Sequence, residues 1–141
     1  MSPGYSATPL IKKLGIQPDT KILLVGAPPD YAQWLGRDLG SQVVSQSGDA
    51  DLVHLFARAE KQFEQAMRKL APAWRANPKL VLWVSWYKKS AQVPTDLTEN
   101  DIRSYALHHG LVDIKVCAVT DQWSGLKLVV PLAKRKPKPQ S

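Results

Sequence analysis

The sequence has one cysteine, three histidines and no glycine-rich loop, and each scarcity removes a class of protein. A lone Cys117 cannot close an intramolecular disulfide. No apolar run approaches the roughly 20 residues that a membrane-spanning helix needs. The opening MSPGYSATPLIKK lacks the charged start and apolar core of an export signal, so a reducing cytoplasm is the expected compartment. His108 and His109 fall in the last turn of an expected helix, His54 lies inside a strand, and none stands at metal-ligand spacing with another candidate, so no metal site is expected. Neither a Gly-x-Ser-x-Gly elbow nor a phosphate-binding Gly-Lys-Ser/Thr signature occurs, and no residue is assigned a catalytic role.

What remains is an ordinary globular composition, 44% hydrophobic and 22% charged, in a chain of 141 residues that suits one core. The formal charge of +7 is unevenly placed. Lys134, Arg135, Lys136 and Lys138 lie in the terminal KRKPKPQS, leaving +3 on residues 1–133. With prolines at 137 and 139 and no apolar side chain, residues 134–141 read as a disordered basic tail that solubilises a single domain over 1–133.

Hydrophobic period then sets the elements. TPLIKKLG reads as a short helix with Thr8 as cap, Pro9 at the first helical position and Gly15 past the end. KILLVGAP is a continuous apolar run of strand length, as in a strand covered on both faces, DLVHLF reads as a second buried strand and Lys79 to Trp86 as a third. Asp30 to Leu39 reads as a helix closed by Gly40, and Gln42 to Ser45 as a weak strand. Glu60 to Leu70 carries Phe63, Ala66, Met67 and Leu70 on one face, with Pro72 and Pro78 expected to end it. Thr98 and Asp101 form a capping-box pattern before Ile102, Tyr105 and Ala106. VDIKVCAVT and GLKLVVPL, joined by DQWS, suggest an antiparallel hairpin with Trp123 at its tip. Strands alternating with helices, closed by a hairpin, predict a three-layer Rossmann-like α/β sandwich with a mainly parallel sheet. The layout is similar to the class I methyltransferase fold, truncated by one strand and helix between Ser45 and Leu52.

In such a sheet ligands bind beyond the carboxyl ends of the strands. The first loop there reads GAPPD: Gly26 is alone, and Pro28 and Pro29 each remove an N–H that could hold a phosphate. Gln46 and Ser47 stand where an acidic residue would grip a ribose, so no nucleotide cofactor is expected. LWVSWYKKSAQVPTD carries the stronger signal. Its strand puts Trp83 on one face and Trp86 on the other, so at least one indole belongs to the core. Lys88 and Lys89 follow in the loop, near Thr95 and a helix start, as in an anion site. Gly26, Tyr31, Trp86, Lys88, Lys89, Thr95 and Trp123 are therefore the candidate ligand-binding residues. Cys117 and His54 read as core residues.

GYSATPLIKKLGI, LWVSWYKKSAQVPTDLTENDIR and GLVDIKVCAVTDQWSGLKLVVP, in that order over residues 4 to about 131, resemble the bacterial family designated domain of unknown function 3052. The resemblance implies a compact bacterial cytosolic domain with no assigned activity, cofactor or catalytic residue. It also implies proline after the second strand tryptophan, where this chain has Tyr87. The expected function is non-catalytic or regulatory binding of a small anionic ligand. A reduced S-adenosylmethionine-binding methyltransferase-like protein and a nucleic-acid accessory protein using the tail are the alternatives, with nucleic acid behind a small anion as partner.

Overall fold

The computed structural model describes residues 8–131, so the basic tail and the first residues of GYSATP lie outside the described residues. Ten helices and strands alternate over that span: α1 (Leu10–Leu14), β1 (Ile22–Val25), α2 (Tyr31–Leu35), β2 (Val43–Val44), β3 (Leu52–Phe56), α3 (Glu60–Ala76), β4 (Val81–Tyr87), α4 (Glu99–His108), β5 (Val112–Ala118) and β6 (Trp123–Val129). The strands form one sheet in the order β2-β1-β3-β4-β6-β5. β2, β1, β3 and β4 run parallel, while β6 is antiparallel to both β4 and β5. The Rossmann-like sandwich with a carboxyl-terminal hairpin is therefore the fold. Between β2 and β3 the chain makes only a single 3-10 turn, Ser47–Asp49, in place of a helix and a further strand.

Burial on both sheet faces explains the largely apolar strands. All five residues of β3 are buried, and in β4 the side chains divide between two cores. Leu82, Val84 and Trp86 join Phe63, Met67, Trp74 and Ile102 under α3 and α4. Trp83 joins Leu14, Ile22, Tyr31 and Phe56 under α1 and α2. Both indoles are thus core, on opposite faces, as strand alternation requires. Trp83 also donates from Nε1 to the Leu14 carbonyl at 3.0 Å, which fixes α1 against the sheet.

Four local expectations are corrected. α1 starts after Pro9, which takes the cap position itself, and no side chain caps the helix. α2 stops at Leu35 rather than Leu39, because Gly36 takes a left-handed φ of 79° and its N–H bonds back to the Ala32 and Gln33 carbonyls. α3 runs through Pro72 to Ala76. An interior proline costs about 3 kcal/mol, but the last turn buries Ala73 and Trp74, and burying one large side chain recovers a similar amount. Trp123 opens β6 instead of sitting at the hairpin tip. The capping box of α4 is present as read: Thr98 Oγ1 accepts from the Asp101 N–H at 3.2 Å, and Asp101 Oδ2 accepts from the Thr98 N–H at 3.0 Å.

Candidate functional site

Because β1, β3 and β4 are neighbouring parallel strands, the residues just beyond their carboxyl ends meet at one edge of the sheet. Gly26 follows β1 at a φ of 71°, and a Cβ there would stand 2.9 Å from the Phe56 carbonyl oxygen. Both facts demand glycine. Two residues beyond β3, Arg58 reaches across the same gap. Its Nη2 donates to the Gly26 carbonyl at 3.2 Å, and its guanidinium carbon lies 5.3 Å from the centre of the Trp123 ring. Trp123 in turn stacks on Tyr87, the last residue of β4, at 4.1 Å.

The arginine backbone is held as firmly as its side chain. Its N–H donates to Gln62 Oε1 at 2.6 Å, and its carbonyl accepts from Thr95 Oγ1 at 2.9 Å. Thr95 Oγ1 also accepts from the Leu97 N–H at 3.1 Å, so the hydroxyl proton is already committed to Arg58. Thr95 thus acts on the site by positioning the arginine. Among the described residues Arg58 has no carboxylate partner; the two ion pairs there both belong to Arg103, with Glu99 and Asp113. A guanidinium fixed on one side by a carbonyl and a ring face, with its charge unmatched, is suited to a carboxylate or phosphate.

The helix starts nearby offer no comparable site. The Glu60 N–H that opens α3 donates to Asp96 Oδ1 at 2.7 Å, and the capping box occupies the start of α4. Asp101 beside it, then burial, Glu64 and Asp96, push the Glu60 carboxyl upward, which marks this corner as acidic. An anion is favoured on the Arg58 side of Thr95 and opposed on the helix side.

Of the seven residues expected from the sequence, Gly26, Thr95 and Trp123 surround Arg58. Lys88 lies partly buried beside them, its N–H donating to the Gln122 carbonyl at 2.9 Å, and Lys89 is exposed on the 3-10 turn Lys89–Ala91. Tyr31 and Trp86 lie in the two cores. Arg58 itself escaped the sequence reading. The one available signal was a cation two residues past a buried strand, which carries little weight until the strand order is known.

Tyr31 belongs to a separate buried chain. Its hydroxyl lies 2.8 Å from His54 Nδ1, and His54 Nε2 lies 2.7 Å from Ser85 Oγ. The order of groups is that of a nucleophile and its base, but His54 and Ser85 are wholly buried, so no substrate can reach the hydroxyl. Burial pushes the His54 imidazole down to about 3 and holds the Tyr31 phenol well above its ordinary value, with the nearby Cys117 as a second cause. The histidine is neutral and satisfied on both nitrogens, and Phe56 stacks on it at 4.3 Å. Cys117 is also buried, and desolvation raises its thiol against the opposing pull of Lys13, Lys115 and Lys88. His108 and His109 are turned to the Ser104 and Tyr105 carbonyls of their own helix.

No protein-family model and no curated protein matches the chain. Solved structures do. A protein of the NADB-Rossmann superfamily from Streptococcus agalactiae is 12% identical at a TM-score of 0.53, over 92% of this chain and 70% of its own. The B. subtilis tRNA methyltransferase TrmK is 11% identical at 0.52, over 87% of this chain and 65% of its own. An uncharacterized protein from Listeria monocytogenes serotype 4b is 9% identical at 0.54, over 94% of this chain and 70% of its own. The chain thus spans about two-thirds of the length of these neighbours, and at such identities the likeness establishes a Rossmann-like, methyltransferase-like fold alone. No helix among the described residues is long and apolar enough to cross a membrane.

Proposed function

We propose that this chain is a non-catalytic binding domain that holds a small anion, a carboxylate- or phosphate-bearing metabolite, at the carboxyl ends of β1, β3 and β4. The observation that carries the reading is Arg58, fixed between the Gly26 carbonyl and the Trp123 ring without a carboxylate partner among the described residues. Lys88 and Lys89 add positive charge to the same edge, and the membership suggested by the resemblance to domain of unknown function 3052 is compatible with it. A methyl-donor reading, S-adenosylmethionine in the same crevice, draws support from the shared fold. It is opposed by the two prolines after Gly26 and by the arginine that spans the gap in front of that glycine.

A thermal-shift panel of inorganic phosphate, nucleotides, phosphorylated sugars, dicarboxylates and S-adenosylmethionine separates the readings, since a ligand bound to the folded state raises the melting temperature. The expected result is a shift with a phosphate or carboxylate ligand and none with S-adenosylmethionine. Arg58→Gln keeps much of the length of the side chain without its charge and should reduce that ligand's affinity about tenfold or more. An Arg58→Gln protein that binds the ligand as the parent does would refute the site.

A further inference from the structure

A second basic surface adjoins the Arg58 crevice, on the α1 side of the hairpin. In the sheet register Trp83 of β4 faces Lys127 of β6, which faces Lys115 of β5, so one row across three strands reads tryptophan, lysine, lysine. Trp83 holds the end of α1 through the Leu14 carbonyl, which brings Lys13, in the last turn of that helix, to the same face. Lys88 follows directly after β4, its N–H donating to Gln122 in the β5–β6 turn, and its charge reaches Cys117 on this face. The next row but one is Ser85, Gly125 and Cys117, and the Cys117 thiol feels Lys13, Lys115 and Lys88 together. None of the four lysines has an ion pair among the described residues.

Like charges directly opposite on neighbouring strands destabilise a sheet, and strands lie only about 4.8 Å apart. A carboxylate on either strand would relieve the Lys115–Lys127 pair, yet the acid of β5, Asp113, is bound to Arg103 of α4. The arrangement is one that an external polyanion stabilises. Beside Lys88 stands Tyr87, partly exposed and stacked on Trp123, which adds an aromatic surface to the positive one. Charge together with an aromatic platform suits a single-stranded nucleic acid, whose bases stack while its phosphates pair with lysines. An acidic protein surface would use the charge but has no need of the ring.

We infer that the face formed by Lys13, Lys88, Lys115 and Lys127, with Tyr87 at its margin, binds single-stranded nucleic acid through its phosphate backbone. Lys88 and Tyr87 border the small-anion site as well, whereas Arg58 takes no part in this face and Lys13, Lys115 and Lys127 take none in that site.

The test is fluorescence anisotropy of the full chain with a labelled oligouridylate across a salt series. Replacing Lys115 and Lys127 together by Ala should weaken binding about tenfold at low salt. It should also flatten the slope of log affinity against log salt by about 1.4, from about 0.7 for each of two phosphates that the variant no longer neutralises. Arg68 and Lys69, exposed on α3, provide a charge-matched control, and their double Ala variant should bind within about twofold of the parent. Tyr87→Leu should weaken oligouridylate about tenfold while leaving inorganic polyphosphate binding unchanged. Equal effects in the two double variants would show attraction to net charge alone and overturn the inference. So would polyglutamate that competes as well as the oligonucleotide, which would assign the face to an acidic protein.

Discussion

The buried chain Tyr31–His54–Ser85 makes the fold sensitive to acid in a window set by one group. In the folded protein the His54 imidazole is pushed down to about 3 by burial, whereas in the unfolded chain it titrates near the ordinary value of about 6.5. Between those values the unfolded chain carries a proton that the folded protein refuses, so stability must rise with pH and be lost as pH falls. Stabilisation is complete above about 6.5. Below that point each pH unit removes about 1.4 kcal/mol, which gives about 2 kcal/mol lost at pH 5 and about 3 kcal/mol at pH 4. For a domain whose total stability is of order 5–15 kcal/mol, that is enough to move a denaturation midpoint plainly. Urea unfolding followed by tryptophan fluorescence at pH 7.5, 6, 5 and 4 measures it. The matched variant is His54→Leu, which leaves the Tyr31 and Ser85 hydroxyls without their partner and so costs about 2–5 kcal/mol at neutral pH. Its stability should nevertheless be nearly flat between pH 7.5 and 5, a window above the ordinary carboxylate range. A parent that keeps its full stability at pH 5, or a variant that declines as steeply as the parent, refutes the assignment of the acid limb to His54.

Two further predictions concern β4 and its loop. Trp83→Ala should cost about 3–5 kcal/mol in urea unfolding, since it empties a wholly buried site and leaves the Leu14 carbonyl without its donor; a loss under about 1 kcal/mol would mean that α1 is not anchored there. Replacing Lys88 and Lys89 together by Ala removes charge and little packing, so stability should change by no more than about 0.5–1 kcal/mol. Calorimetry on the same variant, with the ligand found by the thermal-shift panel, should show weakened binding, and unchanged binding would confine the small-anion site to Arg58.

The strands were legible because their side chains are buried on both faces, which leaves DLVHLF and LWVSW apolar but for His54 and Ser85, a composition that no surface element would carry. The capping box of α4 was legible for a similar reason: Thr98 and Asp101 satisfy each other locally, without help from elsewhere in the fold. Helix ends that depend on tertiary packing were not. Pro72 looks like a terminus until Trp74 is seen buried beyond it, and Gly36 ends α2 although the polar spacing through Leu39 suits a helix. At the site, Gly26 could be picked out from its place after a strand. The part played by Arg58 depends on β1 and β3 being adjacent and in register, so that a carbonyl of one loop meets the guanidinium of another. Local sequence carries no trace of that pairing. The row of lysines is less legible, since Lys115 and Lys127 are twelve residues apart and face each other only through the particular register of the hairpin.

The groups that most resemble reaction chemistry and the groups that carry unmatched charge lie in different places. Ser85, His54, Tyr31 and Cys117 are all buried in the core under α1 and α2. The histidine is kept neutral by burial, both hydroxyls are hydrogen-bonded to it, and the thiol is raised away from thiolate. A base that is uncharged near neutral pH is no obstacle to catalysis, but one sealed from solvent with both nitrogens engaged has no proton route to a substrate. Arg58, Lys13, Lys88, Lys115 and Lys127, by contrast, lack carboxylate partners among the described residues, and all sit at the strand ends or on the hairpin face. Positive charge that the fold does not neutralise raises the local concentration of anions and speeds their encounter. The arginine is constrained by two hydrogen-bonded loops and an aromatic ring, so it presents a fixed fork for one small anion. The lysines are long, flexible side chains spread over α1, the segment after β4, β5 and β6, so they suit a partner with many charges and tolerate variation in its sequence. Arg58 follows the parallel strand β3, whereas Lys115 and Lys127 lie on the antiparallel hairpin, with Lys13 on α1 and Lys88 just past β4.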